Sequence, residues 1–337
     1  MTQVTKTEVL DNLTTTTWYS IRKQIVETSF KITPVYNKLL EKGKIKAKVP
    51  DGSHFEIPVS YAKQDQNLKY FTRGTTFGAS EKESATRLLF YTKNLGTNVV
   101  RYWDDDRKNR GSAKIVDYIQ YLLENSKNSI IDKLETDLCV QSSDANSIDA
   151  IPTLIVSSPT SSTATVGTLT RSGNTFLQNQ YKSFSGLTTT NSLIDEMDAM
   201  VNKCSEYSTG TQRMPDMILC NRTVYQDLER IARNMQVIQT NKTERASLGF
   251  GDILFKNIEV FWSPAIPNTT GSGVMYFLNS GTLEFNYDPS AWFEMTDWKP
   301  ISGASLDRCA QIVCVGNLCA SQTQNMGLID NITTVTA

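Results

Sequence analysis

The chain has 337 residues, 39% hydrophobic and 20% charged, which is enough for two ordinary domains or one elaborated domain with a large buried core. Its 34 basic and 35 acidic groups leave a formal net charge of -1, excluding a surface that is basic all over and binds nucleic acid by counterion release. The single histidine, His54, excludes a multi-histidine metal site within one chain and leaves any Ser-His-Asp or Cys-His system one candidate base.

The opening stretch MTQVTKTEVLDNLTTTTWYS lacks the apolar core of a signal peptide, and no run of about 18 apolar residues is present. A reducing cytoplasm with free thiols is therefore the expectation, and Asn-x-Thr triplets such as those at Asn12 and Asn221 reflect abundant Thr and Asn. Residues 1–43 read as an arm with two short amphipathic helices. Trp18, Ile21, Ile25 and Val26 share helical spacing in the first. In the second, TPVYNKLLEKG, Thr33 is a good cap, Pro34 suits the first helical position, Val35, Leu39 and Leu40 share a face, and Gly43 can terminate the helix.

Beyond Gly43 the period becomes two. Ile45, Ala47 and Val49 alternate with Lys44, Lys46 and Lys48, and after a Pro-Asp-Gly-Ser turn Phe55, Ile57, Val59 and Tyr61 alternate with polar residues or proline. His54, opening that run, reads as a polar residue at a strand start. The Lys38 to Lys48 series reads as a solvated or carboxylate-paired face in preference to a phosphate site. A polar, aromatic-studded segment follows, and TRLLFYTKN and TNVVRYW resume strand character, so this region is too thin to build its own core.

Asp104, Asp105 and Asp106 form an acidic cluster whose neighbours Arg101, Arg107, Lys108 and Arg110 are ready ion-pair partners, which weighs against a metal. A helix is predicted over 112–138, capped by Ser112, with Ile115, Ile119, Leu122, Ile130, Leu134 and Leu138 on one stripe. At about 1.5 Å per residue it is a rod of about 40 Å, suited to a structural spine. The Ser/Thr-rich stretch 141–185 contains apolar islands, IPTLIV, VGTL and TFLQNQY, that read as strands.

A mixed domain follows. Leu193, Met197, Met200, Val201 and Cys204 define a helix, PDMILC a buried strand, and Asn221 the cap of a helix carrying Val224, Leu228 and Ile231; FKNIEVFW, VMYFLN, TLEFNY and CAQIVCVG read as strands. Cys309, Cys314 and Cys319 lie five apart, and on a strand the first two face opposite sides, so buried thiols are expected and not a metal cluster. Walker-type loop, dinucleotide glycine triplet, Gly-x-Ser-x-Gly elbow and paired-histidine zinc motif are all missing. The reading is of a protein that is not an enzyme, with no catalytic, cofactor-binding or metal-binding residues and no cofactor.

The order of elements, together with GSHFEIPVSY, the strand pair LLFYTKNLGTNVVRYW before the long helix, MPDMILCNRTVYQDLERI, LGFGDILFKNIEVFWSPAIP, VMYFLNSGTLEF and the ending RCAQIVCVGNLCASQTQNMGLIDNI, resembles the tailed-bacteriophage major capsid proteins of Hong Kong 97-type fold. Asn257 stands where many relatives have Gly, and the loop tip from Lys63 to Ala85 carries no family signature. The resemblance implies an α+β fold divided into an N-terminal arm (1–43), an extended loop (44–92), a peripheral domain (93–186 and 306–337, with the spine helix) and an axial domain (187–305).

It further implies a self-assembling subunit of an icosahedral phage head enclosing double-stranded DNA, found in the virion and assembled in the host bacterial cytoplasm. The implied partners are other copies in hexamers and pentamers, a portal protein, separate scaffold or decoration proteins, and packaged DNA by weak non-specific contact, with no membrane. Trp18 on the arm and Tyr61, Tyr70, Phe71, Arg73 and Phe77 on the loop are the candidate inter-subunit contacts. An unprocessed or barely processed N-terminus without covalent crosslinks is the accompanying expectation. The alternatives are an encapsulin-like shell enclosing cargo protein, and a host-surface binding module or enzyme.

Overall fold

A computed structural model describes residues 32–63, 65, 67–78, 82–104, 118–161, 163–184, 192–207, 214–236, 253–268 and 272–333. These residues fall into two compact units. One draws on Leu95–Lys133 and Ser290–Cys314, the other on Thr33–Asn94, Leu134–Pro289 and Val315–Ala337.

The larger unit is organised by a six-stranded sheet in the order β7-β15-β11-β8-β10-β9. Its strands are β7 (Gln180–Ser183), β8 (Met217–Cys220), β9 (Ile253–Phe255), β10 (Ile258–Trp262), β11 (Gly273–Leu278) and β15 (Gly327–Ile332). β8 is buried along its whole length, because it runs through the middle of the sheet with both faces covered. Ile218 and Cys220 meet a helical layer on one side. There α4 (Ser192–Glu206) presents Leu193, Met197, Met200, Val201 and Cys204, and α5 (Arg222–Gln236) presents Val224, Leu228 and Ile231. All eight are the residues that helical spacing predicts, and all are buried. Gly327 is required by this contact, since a Cβ there would lie 2.5 Å from Met200 Sδ.

The opposite sheet face carries the equally buried Met217, Leu219 and Leu278. On that side sits α1 (Pro34–Glu41), whose Lys38 pairs with Glu259 at 3.2 Å. Val35 and Leu39 are buried there, whereas Leu40, expected on the same face, is 56% exposed. An eight-residue helix packs only a narrow i, i+4 stripe, and Leu40 is turned about 100° from Leu39. Gly43 ends the helix in the left-handed conformation, φ +63°. Next, β1 (Ile45–Ala47) pairs in parallel with the first half of β12 (Leu283–Met295), Ile45 opposite Phe285. Val49 lies past the end of β1 and is exposed, contrary to the alternation.

β2 (His54–Ser60) and β3 (Ala85–Tyr91) form a separate antiparallel ribbon with seven paired positions. Among the Ser/Thr-rich islands, VGTL makes a two-stranded hairpin of β5 (Thr165–Val166) and β6 (Leu169–Thr170). IPTLIV does not form the expected strand. Its first four residues are a helical turn, α3 (Ile151–Leu154), because Pro152 presets φ near the start of the turn and Ala150 enters it extended.

In the smaller unit, β4 (Lys93–Arg101) and β13 (Lys299–Ile301) both pair with β14 (Ala304–Ala320). Among the described residues of this unit, the buried apolar ones are Val99, Ile130, Ala310, Ile312 and Cys314. The long helix α2 (Tyr118–Cys139) begins in this unit and ends in the larger one, as does β14, while β12 begins in the larger unit and ends in this one. Its Ile130, Leu134 and Leu138 are buried as the stripe predicts, while Leu122 is half-buried. Ser112, Ile115 and the Ile119 side chain, the first arm helix with Trp18, Ile21, Ile25 and Val26, and Asp105 and Asp106 lie outside the described residues.

Candidate assembly surfaces

Beyond Ser60 and Ala85 the ribbon stops pairing as strands, and the base of the intervening loop is closed at Ser84, whose carbonyl accepts from Tyr61 N–H at 2.9 Å and from Ala62 N–H at 3.4 Å. Its tip is shaped by a tight turn, Thr72-Arg73-Gly74-Thr75. Thr75 N–H donates to Thr72 O at 3.0 Å, and Gly74 takes φ +91°, a position at which a side chain would be strained. The turn places Arg73 at its apex and folds its two flanks together. Phe71 and Phe77 meet edge to face at 5.3 Å, and the Lys69 ammonium stands 5.4 Å above the Phe77 ring.

This knob has no core beneath it. Phe71 is 68% exposed, Phe77 54% and Tyr70 wholly exposed, and Leu68 adds a further apolar face. Covering such rings stabilises a contact by up to about 1.5–3 kcal/mol each. Of the six candidate contacts, then, Phe71, Arg73 and Phe77 are brought together with Tyr70 beside them. Tyr61 is different: it stacks on Phe176 of its own chain at 5.7 Å, so part of its surface is already covered.

The root of the loop is held far more firmly than its tip. Phe55, Leu88 and Phe90 are buried, and the β5–β6 hairpin presses on them through Gly167. Gly167 has φ +52°, its carbonyl accepts from Leu89 N–H at 3.1 Å, and a Cβ there would stand 2.8 Å from Leu88 Cβ. Just beyond this hairpin, Arg171 is fully buried. Its guanidinium donates to the carbonyls of Thr153, Leu154 and Leu177 and to Asn179 Oδ1. Burial lowers its pKa to about 10. Asn317 completes the anchorage by donating to Tyr91 O and to Asp149, and by accepting from Asp149 N–H.

A second anchor lies where local sequence gave no sign of it. Thr33 occupies the cap position of α1 but makes no side-chain cap bond. The donors at the helix start are instead taken by Glu135, from α2, which accepts from Val35 N–H at 3.2 Å and Tyr36 N–H at 2.9 Å. Ser263 Oγ donates to the same carboxylate at 2.7 Å. Glu135 is 2% exposed, and burial raises its pKa above the ordinary carboxylate value despite these donors. Asn221, the predicted cap of α5, likewise uses its side chain elsewhere, donating to Thr223 Oγ1 while its carbonyl accepts from Tyr225 N–H.

Three members of the lysine series are carboxylate-paired: Lys38 with Glu41 and Glu259, Lys42 with Asp216, and Lys46 with Glu284. All six thiols are free. Cys139, Cys204, Cys220, Cys314 and Cys319 are buried, and burial pushes Cys204 and Cys319 up to about 12. A cleft of about 640 Å³ is lined by hydroxyls and amides, among them Ser157, Thr160 and Gln178, with Tyr181 and Tyr207 beside them. No described helix is long and apolar enough to cross a membrane.

No family model and no curated protein matches the sequence. Solved structures do match the fold over nearly its whole length. The capsid asymmetric unit of cyanophage A-1(L) is similar at a TM-score of 0.67 and 15% identity, covering 91% of this chain and 95% of that one. The capsid of Myoviridae phage XM1 is similar at 0.57 and 8% identity, covering 92% and 95%. The holo-SrpI encapsulin complex of Synechococcus elongatus PCC 7942 is similar at 0.56 and 10% identity, covering 92% of each chain. Sequence motifs, element order and these overlays agree, and the chain has the α+β Hong Kong 97-type fold of phage capsid and encapsulin shell subunits.

Proposed function

We propose that this chain is a major capsid protein, the self-assembling subunit of an icosahedral phage head enclosing double-stranded DNA. The observation that carries the reading is the fold shared with the cyanophage A-1(L) capsid over almost all of both chains. An aromatic loop tip with no core of its own supports it. Phe71, Arg73, Phe77 and Tyr70 are the contacts that a neighbouring copy covers, Tyr61 adds to them near the loop root, and Trp18 contributes from the arm. The peripheral domain is 93–186 with 306–337, the axial domain is 187–305, and copies associate as hexamers and pentamers. Portal protein, scaffold or decoration proteins and packaged DNA are the further partners, with assembly in the host bacterial cytoplasm and no catalytic role.

Electron microscopy of the expressed chain tests this directly: closed shells are expected, and only monomers or dimers across a range of salt and protein concentration would overturn it. The Phe71→Ser, Phe77→Ser double variant is expected to fold with an unchanged circular dichroism spectrum yet fail to close shells. A cargo-enclosing shell is the second reading, favoured by the similarity to the Synechococcus encapsulin. Packaged DNA or cargo protein in particles from the native host separates the two.

A further inference from the structure

The Pro-Asp-Gly-Ser turn that opens the ribbon places three ligand-bearing side chains on one face. Gly52, at φ +65°, turns the chain back, and Asp51 N–H donates to His54 O at 2.8 Å, so Asp51 and His54 are cross-strand neighbours in an antiparallel bridge. Along β2, side chains alternate, so Glu56 shares the face of His54 while Phe55 points the other way and is fully buried. One ligand atom from each of Asp51, His54 and Glu56 lies within 4.8 Å of the others.

We propose that Asp51, His54 and Glu56 form a binding site for a divalent transition metal such as Zn2+ or Co2+. One imidazole nitrogen and two carboxylate oxygens are a borderline donor set, with the charge and geometry that suit these ions, and solvent is free to complete the coordination. Two of the three donors stand on a strand that the seven-pair ladder to β3 and the buried Phe55 hold in place, and the Asp51–His54 bridge brings the third beside them.

The neighbours on the same ribbon are consistent with this use. Tyr91, opposite His54 in the ladder, meets the imidazole edge to face at 6.4 Å and restrains its orientation. Arg87 reaches Glu56 Oε1 at 3.5 Å, a long and exposed contact, and a carboxylate has two oxygens, so one remains for an ion. Lys48 donates from its ammonium to the Glu56 backbone carbonyl. The site is independent of the shell reading, since it is built within one chain.

Because the chain has one histidine, labelling histidine with 13C and 15N in the full-length protein gives a single imidazole signal. Adding Zn2+ is expected to shift that signal and saturate at one equivalent. In the Asp51→Asn, Glu56→Gln double variant the midpoint moves to a concentration more than about tenfold higher. Competition with a chromophoric chelator is expected to show the same loss in His54→Ala, with thermal melting confirming that the variant is folded. An imidazole signal unmoved by millimolar Zn2+ overturns the proposal. So does Zn2+ bound as tightly by His54→Ala as by the native chain, which would place the ion on thiols.

Discussion

Glu135 shows how much of this structure depends on single polar groups. It is the acceptor for two amides at the start of α1 and for the Ser263 hydroxyl, and α1 has no cap of its own. Glu135→Ala leaves those donors buried without a partner and is expected to cost about 3–5 kcal/mol, read from urea unfolding. The pH dependence follows from the raised pKa. A carboxyl whose folded value lies above its unfolded value of 4.5 binds its proton more tightly in the folded chain. Its contribution to stability therefore rises as pH falls from above the folded value towards 4.5 and is level below that. The unfolding midpoint of the native chain is expected to gain on that of Glu135→Gln as the buffer is acidified over this range; a constant difference would contradict the ionised, desolvated carboxylate. The thiols offer a simpler reading. Cys309 is the one cysteine not fully buried, so one fast-reacting thiol per folded, unassembled chain is expected with an alkylating reagent, and all six after denaturation.

At the scale of elements, the loop is a stiff ribbon on a tight clamp with an uncovered end. The clamp depends on Gly167, where a side chain would meet both an unfavourable φ and the Leu88 Cβ. Gly167→Ala is expected to destabilise the fold by about 2–4 kcal/mol, combining left-handed strain with overpacking, as a lower thermal midpoint would show. The β9–β10 hairpin gives the opposite case. Lys256 and Asn257 both take positive φ, 49° and 64°, in its two-residue turn. Asn tolerates that conformation but Gly favours it more, so Asn257→Gly is expected to stabilise by up to about 1 kcal/mol. These two positions also mark what sequence could tell. Periodicity was sufficient for α4, α5 and β8, where each helix or strand buries one face or both in a single large core. It failed for IPTLIV, whose apolar run suits strand or buried helix equally until Pro152 is weighed. It could not find the cap of α1, because Glu135 is 100 residues from Val35. The aromatic tip was half legible: exposed rings on a thin loop were evident, but the pairing of Phe71 with Phe77 depends on the Gly74 turn between them.

For the whole molecule, the near-zero net charge and the aromatic tip together set the expected response of assembly to its medium. Contacts made by covering rings gain from sulfate and weaken on cooling, whereas contacts made by charge weaken with salt. On the proposed shell reading, assembly is expected to persist from about 0.1 M to about 1 M sodium chloride, over which the screening length falls from about 10 Å to about 3 Å. Light scattering that collapses over this range would point to ionic contacts as the driving force. The Glu135 anchor also has a consequence for the order of synthesis. Its partners are Val35 and Tyr36 near one end of the chain and Ser263 towards the other, and β1 likewise waits for Phe285 and its neighbours in β12. At about 5–20 residues per second, the ribosome needs on the order of 10–45 s to travel from Tyr36 to Ser263. Until then α1 has neither its cap completed nor its sheet to rest on. A nascent chain is thus withheld from its finished form until most of it has been made; on the proposed shell reading, that delay keeps ribosome-bound copies, close together on one messenger, from docking before they are complete.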